Sequence, residues 1–293
     1  MAPELVSTLW THTTSVSLGF FKRYLEFKPT TPEQLARLAE SENLRKFFAS
    51  NPEWWRSGEE TLTWLKKNGA RITYPGRDDY PGSFADLERP PLFVSYFGEP
   101  CWKMPERLSV VGSREPGHTS RRWLETELSP LMKRKFLIVS GGARGVDQCA
   151  HKIALRAGGA TAVFLPAGLG RMYPSDLTDW IEPVLECGGA FVSELGPLEP
   201  MLKHYFLQRN RMIAALSKVT LIVEARRQSG TMITARLAEE IGRELAVVPG
   251  PPCDPRWAGN LELLCNGAKI ARDYWDLLTI LNLKHEHSVP VFP

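Results

Sequence analysis

From Leu202 to Ala214 the chain reads LKHYFLQRNRMIA, with Lys203, Arg209 and Arg211 set around His204, Tyr205 and Phe206. No Asp or Glu interrupts the stretch from Pro200 to Lys218, and small apolar residues (Met212 to Leu216) follow the cations. Cations and flat rings at a helix start suit a polyanion whose bases are unstacked: cations meet backbone phosphates and rings stack on bases. Lys203, Arg209 and Arg211 would do the first, Phe206 with Tyr205 the second. The same residues also fit a packing role, with Phe206 in the core and the two arginines as buried ion-pair partners.

Three other segments are suited to anions: VVGSR (Val110–Arg114), SGGARGVD (Ser140–Asp147) and EARRQSGTMITA (Glu224–Ala235). Each reads as a strand end, a glycine turn and a helix start. Glycine lets backbone N–H groups come close to a ligand, and the helix start adds N–H donors and the positive end of a dipole. Ser113, Ser140, Ser229 and Thr231 add hydroxyls, and Arg114 adds a guanidinium. Three such turns on one sheet edge point to a phosphate-lined surface; one alone could be no more than a tight βα turn.

The kind of phosphate is narrowed by what is missing. G-x-x-x-x-G-K-[ST] does not occur, which argues against a P-loop nucleotidase. Nor does G-x-G-x-x-G, and the strand TAVFLPAG ends without the acid that would hold a ribose, so nicotinamide cofactors are disfavoured. Candidates for acid–base chemistry are few. Asp147 and His151 lie four apart on one helix face, as a base and its orienter or, more commonly, as a local hydrogen bond. Glu194 and Glu224 end two strands, either as a carboxylate pair for hydrolysis or as neutralising partners of Arg209 and Arg211. The nearness of the arginines favours the latter.

These residues need a scaffold, and 293 residues with 43% hydrophobic content can build a sizeable core. A net charge of +3 is only mildly basic, so any nucleic-acid surface must be a local concentration of charge. The five cysteines show no C-x-x-C spacing, which argues against a zinc cluster or redox pair and fits a reducing, cytoplasmic setting. No signal peptide or transmembrane run is indicated. Residues 1–58 read as a small all-helical domain, with Thr31-Pro32-Glu33 opening one helix. Residues 59–105 read as a Pro-rich linking segment containing a helix that stops at Gly69 and two short strands. From 106 to 283, LSVVGS, FLIVSGG, TAVFLP, AFVSE, TLIVEA and LAVVPG alternate with helical stretches. That pattern predicts a doubly wound α/β domain with a parallel sheet covered on both faces. Residues 284–293 read as a loose tail.

The ordered motifs VVGSR, SGGARGVDQCAH, YPSD, VSELGP, FLQRNRMIAALS, VEARRQSGTMITARLAEEIGRELAVVPG and GNLELLCNGA resemble the DNA-processing protein A family, DprA or Smf. The match covers about 106 to 283, and DDYPGSFADLERPPLFVSYFG is similar to the segment leading into that domain. The resemblance implies an extended Rossmann-like, mostly parallel sheet and a single-stranded DNA-binding protein that protects incoming DNA in natural transformation and loads the RecA recombinase. It implies a homodimer, with single-strand-binding protein a further candidate partner, and no catalysis, metal or cofactor. Residue by residue it places Gly112, Ser113 and Arg114 in the first phosphate turn, Ser140, Gly141 and Gly142 in the second, and Ser229 and Gly230 in the third. Lys203 and Phe206 match a cation and a stacking ring ahead of Arg209, Asn210 and Arg211. The chain departs from the pattern at Ser175, where many members carry a lysine or similar after YP. It also stops about ten residues past the last helix, so the winged helix of many members is not carried over.

Two readings from other classes stay open. SGTMITARLAEE loosely resembles the turn of the "lonely guy" phosphoribohydrolases, but Gln228 replaces a glycine and the acid is displaced to Glu239. A nucleotide-sensing module is the other.

Overall fold

The computed structural model describes residues 18–28, 34, 37–38 and 56–283. Of the expected N-terminal helical domain, α1 (Leu18–Phe27) and the start of α2 (Arg56–Lys67) fall within these residues. The Thr31-Pro32-Glu33 helix start and the 284–293 tail lie outside them.

After α2 come two short strands, β1 (Arg71–Thr73) and β2 (Val94–Gly98). Then β3 (Arg107–Gly112) leads to α3 (His118–Trp123), which runs on through a π-turn at Leu124–Leu128 into Ser129–Met132. Pro130 has no N–H to continue the ladder, and the helix widens just ahead of it. The alternation continues with β4 (Leu137–Ser140), α4 (Val146–Arg156), β5 (Thr161–Phe164), α5 (Ile181–Glu186) and β6 (Ala190–Ser193). It resumes with α6 (Tyr205–Leu216), β7 (Val219–Val223), α7 (Gly230–Glu240) and β8 (Glu244–Val247). The last elements are α8 (Ala258–Cys265), β9 (Lys269–Ile270) and α9 (Tyr274–Ile280).

Among the described residues, nine strands form one sheet in the order β1-β2-β6-β5-β4-β3-β7-β8-β9. From β6 to β9 every neighbouring pair is parallel; β2 runs antiparallel to both β6 and β1. The expected doubly wound, mostly parallel sheet is therefore present, and the 59–105 segment adds two antiparallel strands at its edge. Asp79 ties that segment down, accepting from Thr73 Oγ1 (2.7 Å), Tyr96 OH (2.7 Å) and Arg77 Nε (3.0 Å), while its carbonyl accepts from Trp102 Nε1 (2.7 Å).

Both faces of the sheet are covered, as the unbroken apolar strands require. Leu108 and Val110 pack with α3, α4 and α9 through Leu124, Leu128, Ile153 and Leu277. Val111 and Ile222 face the other way, against Met212 to Leu216 on α6 and Ala235 on α7. Leu108, Val110 and Ile222 are fully buried, and each such side chain stabilises by roughly 1.5–3 kcal/mol on leaving water.

Candidate nucleic-acid interface

Strand order reverses beside β3. The chain winds outward from β3 through β4 and β5 to β6, then returns to lay β7 on the other side of β3. Helix α6 makes that return. A helix linking parallel strands runs antiparallel to them, so its N-terminus lies over their carboxyl ends, where the crevice opens. The topology thus delivers the stretch beginning LKHYFLQRN to the switch point.

A groove of about 320 Å³ opens there, lined by Gly112, Ser113, Arg114, Phe206, Asn210, Ser229 and Gly230. A second, of about 270 Å³, adjoins it, lined by Gly141, Arg144, Tyr173 and Ser175. Both include Arg114, Phe206 and Arg209, so the Phe206 ring stands between them. The Arg114 guanidinium carbon is 5.0 Å from the centroid of that ring and the Arg209 carbon 5.9 Å. Tyr173 meets it edge-on at 5.8 Å and 85°. Phe206 is half-buried, so part of its surface faces the groove. Arg114, Arg144 and Arg226 are exposed on the lining, and Lys203 is exposed on the turn entering α6.

The third turn has local reasons for its shape. Ser229 caps α7, its Oγ accepting from Met232 N at 3.4 Å and donating to the Arg226 carbonyl at 2.8 Å. Neither α6 nor α7 has an acid in its first turn, which leaves both positive dipole ends available to an anion. Asn260 fixes the strand-to-turn junction: its Oδ1 accepts from Ala225 N at 2.6 Å, and its Nδ2 donates to the Val248 and Ile222 carbonyls. Glu224, at φ +57°, ties the first turn to the third. Its carbonyl accepts from Ser113 N at 2.8 Å, and its carboxylate accepts from Gly117 N and Ser120 Oγ.

Beneath the groove lies a buried layer of charge. Arg209 Nη1 is 3.9 Å from Asp147 Oδ2, both side chains being nearly inaccessible. Asp147 also accepts from Gly141 N (3.1 Å) and Ala143 N (3.4 Å). Burial pushes the Asp147 carboxyl up, against the pull of Arg209 and those N–H donors. Burial also lowers Arg209 to about 10, with Asp147 opposing and Arg114 assisting; it stays charged at neutral pH. Arg211 donates to Glu194, and here too burial raises the carboxyl while Arg211 holds it down. His151 is fully buried, and desolvation with the nearby Arg209 charge lowers it to about 3. It pairs through Nδ1 with Thr161 Oγ1 at 2.6 Å, and that hydroxyl donates to the Ile138 carbonyl.

Two glycines are required by neighbouring groups. A Cβ on Gly141 would stand 1.1 Å from Arg209 Nη1, so this position holds the guanidinium as well as bending the chain. Gly145, at φ +93°, caps α4 without a side chain and lies against the first turn, where a Cβ would be 2.3 Å from the Ser113 carbonyl oxygen. First and second turns are therefore packed together.

Gly112, Ser113, Arg114, Phe206, Asn210, Ser229 and Gly230, among the residues singled out in the sequence, share the groove, with Arg209 forming its floor. Gly141 lines the adjoining groove, and Lys203 lines neither, standing exposed on the turn ahead of α6. Ser140, Gly142 and Arg211 reach neither groove. Ser140 is buried with its hydroxyl donating to the Val110 carbonyl at 2.6 Å, and Gly142 is buried with its carbonyl accepting from Gln148 Nε2. Arg209 pairs with Asp147 and not with Glu224, which binds the first turn instead. Asp147 and His151, spaced for a helix contact, turn to different partners. Arg144, Tyr173 and Arg226 escaped the sequence reading, although the arginines of GARG and EARR lie in the very turns it selected. Among the described residues no group of three His, Cys, Asp or Glu could hold a metal, and no helix is long and apolar enough to cross a membrane.

Comparison with known proteins is consistent with this geometry. The family model for DNA recombination-mediator protein A matches residues 71–282. Protein Smf of Escherichia coli is 36% identical over 232 residues, covering 79% of this chain and 61% of that protein. The chain thus spans somewhat over half the length of that relative. The DNA processing protein DprA of Streptococcus pneumoniae is 33% identical over 202 residues, 69% of this chain and 71% of that one. The X-ray structure of DprA from that species superposes with a TM-score of 0.82 at 26% identity, covering 98% of this chain and 99% of its own. DNA processing protein A of Helicobacter pylori, solved for its single-stranded DNA binding mode, gives a TM-score of 0.64 at 29% identity, covering 72% of this chain and 96% of its own.

Proposed function

The chain belongs to the DNA recombination-mediator protein A family, and from that premise we propose that it binds single-stranded DNA as a recombination mediator. Phe206 carries the reading: a half-buried ring flanked by two guanidiniums and edge-on to Tyr173, in a groove at the switch point of the sheet. An unstacked base can lie on such a ring while Arg114 and Lys203 meet the phosphates on either side. The N-termini of α6 and α7 add their dipoles to that attraction. A stiff duplex keeps its bases stacked inside and cannot present one to Phe206. The contacts offered are to backbone and base face, so little sequence preference follows.

Within that role we propose that the protein protects incoming DNA in natural transformation and passes it to RecA. It acts as a homodimer. The exposed Ile270 on the edge strand β9 and Trp275 on α9 offer apolar surface for a two-fold contact. A phosphoribohydrolase reading has less support, because Glu239 lies in the last turn of α7, the end away from the groove.

The test is a gel shift with an oligonucleotide as a single strand and as its duplex. Preference for the single strand is expected; equal or tighter duplex binding refutes the proposal. Light scattering should give a dimer mass at micromolar concentration. Incubation with nucleoside monophosphates should release no free base.

A further inference from the structure

Beyond Tyr173 a larger groove, of about 540 Å³, runs away from the switch point. Its walls include Trp64 on α2, Phe97 on β2, Met172 on the loop after β5 and Met201 ahead of α6, with Arg171 exposed at its side. Tyr173 belongs to both places: it lines this groove and meets Phe206 edge-on in the other. The Trp64 and Phe97 ring centroids are 6.2 Å apart at 49°. A Cβ on Gly170 would stand 2.7 Å from Trp64 Cζ2, so the backbone closes tightly beneath the indole and supports it.

Successive grooves therefore each offer a ring and an exposed arginine: Phe206 with Arg114, Tyr173 with Arg144, Trp64 with Arg171. Asp179 and Glu182, next in sequence to the lining residues Thr178 and Ile181, are exposed and carry the opposite charge. We propose that the single strand continues into this groove, with bases beyond those at Phe206 lying against Tyr173 and Trp64 and a phosphate meeting Arg171. The proposal rests on the single-strand reading above. Two features on the same surface favour a nucleic-acid occupant: the groove is continuous with the Phe206 site through Tyr173, and its exposed Arg171 matches a polyanion.

The test measures binding of oligothymidylates from about 4 to about 16 nucleotides, the span of known single-strand site sizes. The full chain is compared with Trp64→Ala, Trp64→Phe and Arg171→Gln. The shortest oligonucleotides should bind all four alike. The longest should bind Trp64→Ala roughly 5- to 150-fold more weakly, the range for losing one stacked base, and Trp64→Phe nearly as the parent. For Arg171→Gln the salt slope should become shallower by about 0.7, with long oligonucleotides only. Because Arg171 is exposed, this variant remains informative if Trp64→Ala folds poorly. Length-independent behaviour of Arg171→Gln overturns the proposal and would leave the groove to a protein segment. A Phe206→Ala variant run alongside separates the two claims. If it fails to weaken the shortest oligonucleotides, the single-strand reading itself fails; if it weakens them and length dependence is absent, only the extension fails.

Discussion

At the carboxyl edge of the sheet two layers of charge lie one above the other, and one stretch of sequence supplies residues to both. Lys203 and the flanking Arg114 are exposed and, among the described residues, have no carboxylate within ion-pair distance; Arg209 and Arg211 are buried on Asp147 and Glu194. Helical spacing makes part of the division. Phe206 and Asn210, four apart, share the groove side; Arg209, three on from Phe206, lies on that side too but runs beneath the ring to Asp147, while Arg211, two residues further, is turned away to Glu194. The upper cations lose little hydration on folding and remain available to a ligand. The lower ones have paid a desolvation cost that only their partners offset. A guanidinium near a candidate anion site is thus a ligand contact or a scaffold depending on which carboxylate the fold places beside it.

The largest effect should come from breaking the lower layer. Arg211→Ala leaves the Glu194 carboxylate buried without its cation and should cost about 3–5 kcal/mol of stability. Molecules that stay folded should bind DNA nearly as the parent does. Urea melts beside a DNA titration check this. Weak binding with an unchanged melt would mean that the layers have been assigned the wrong way round.

Phe206→Ala should do the reverse, weakening single-strand binding by about 1–3 kcal/mol while leaving the salt slope nearly unchanged. Phe206→Trp should keep most of the affinity. A several-kcal/mol loss of folding stability in the Ala variant, with affinity intact, would place Phe206 among the packing residues instead.

His151 gives the lower layer a signature in pH. Its folded-state value of about 3 lies below the ordinary 6.5. Between those values the unfolded chain binds a proton that the folded chain refuses. Its contribution is complete above the ordinary value and is lost as pH falls toward about 3. His151→Gln should therefore flatten the rise of unfolding free energy with pH by up to about 1.4 kcal/mol per pH unit in that window. Asp147 is shifted upward by burial and acts with the opposite sign, so the difference between variant and parent is the quantity to read. Equal slopes would show that His151 is not held neutral.

The smallest effects belong to the upper cations. Arg114→Ala and Lys203→Ala should each make the salt slope shallower by about 0.7 on a single strand, with stability within about 0.5 kcal/mol of the parent. A collapse of stability in either would move that residue to the lower layer.

Much of this edge was legible in the sequence because its signals are local. Apolar β-branched runs announced β3 to β8, and a ring between cations announced Phe206. What was not legible depends on contacts between distant segments. Ser140 reads like Ser113, a hydroxyl at a strand end, but the pleat turns it toward Val110. Gly141 reads as a phosphate cradle, and only the folded chain shows Arg209 lying where its side chain would be. Asn260 sits in a helix far along the chain, and nothing near it in sequence says that it fastens Ala225. The strands of the 59–105 segment could be seen, but not their antiparallel pairing with β6.

The strand order also carries a consequence for synthesis. β3 can pair with β4 soon after both emerge, but its other edge is reserved for β7, with Leu108 opposite Val219. Until that distant partner has been made, a growing chain exposes an apolar strand edge in the middle of its future sheet, open to wrong pairing. The crevice between β3 and β7 does not exist in that interval, because one of its walls has not been translated. A chain released before Val219 would carry VVGSR, SGGARG and Phe206, yet have no groove in which to bring them together.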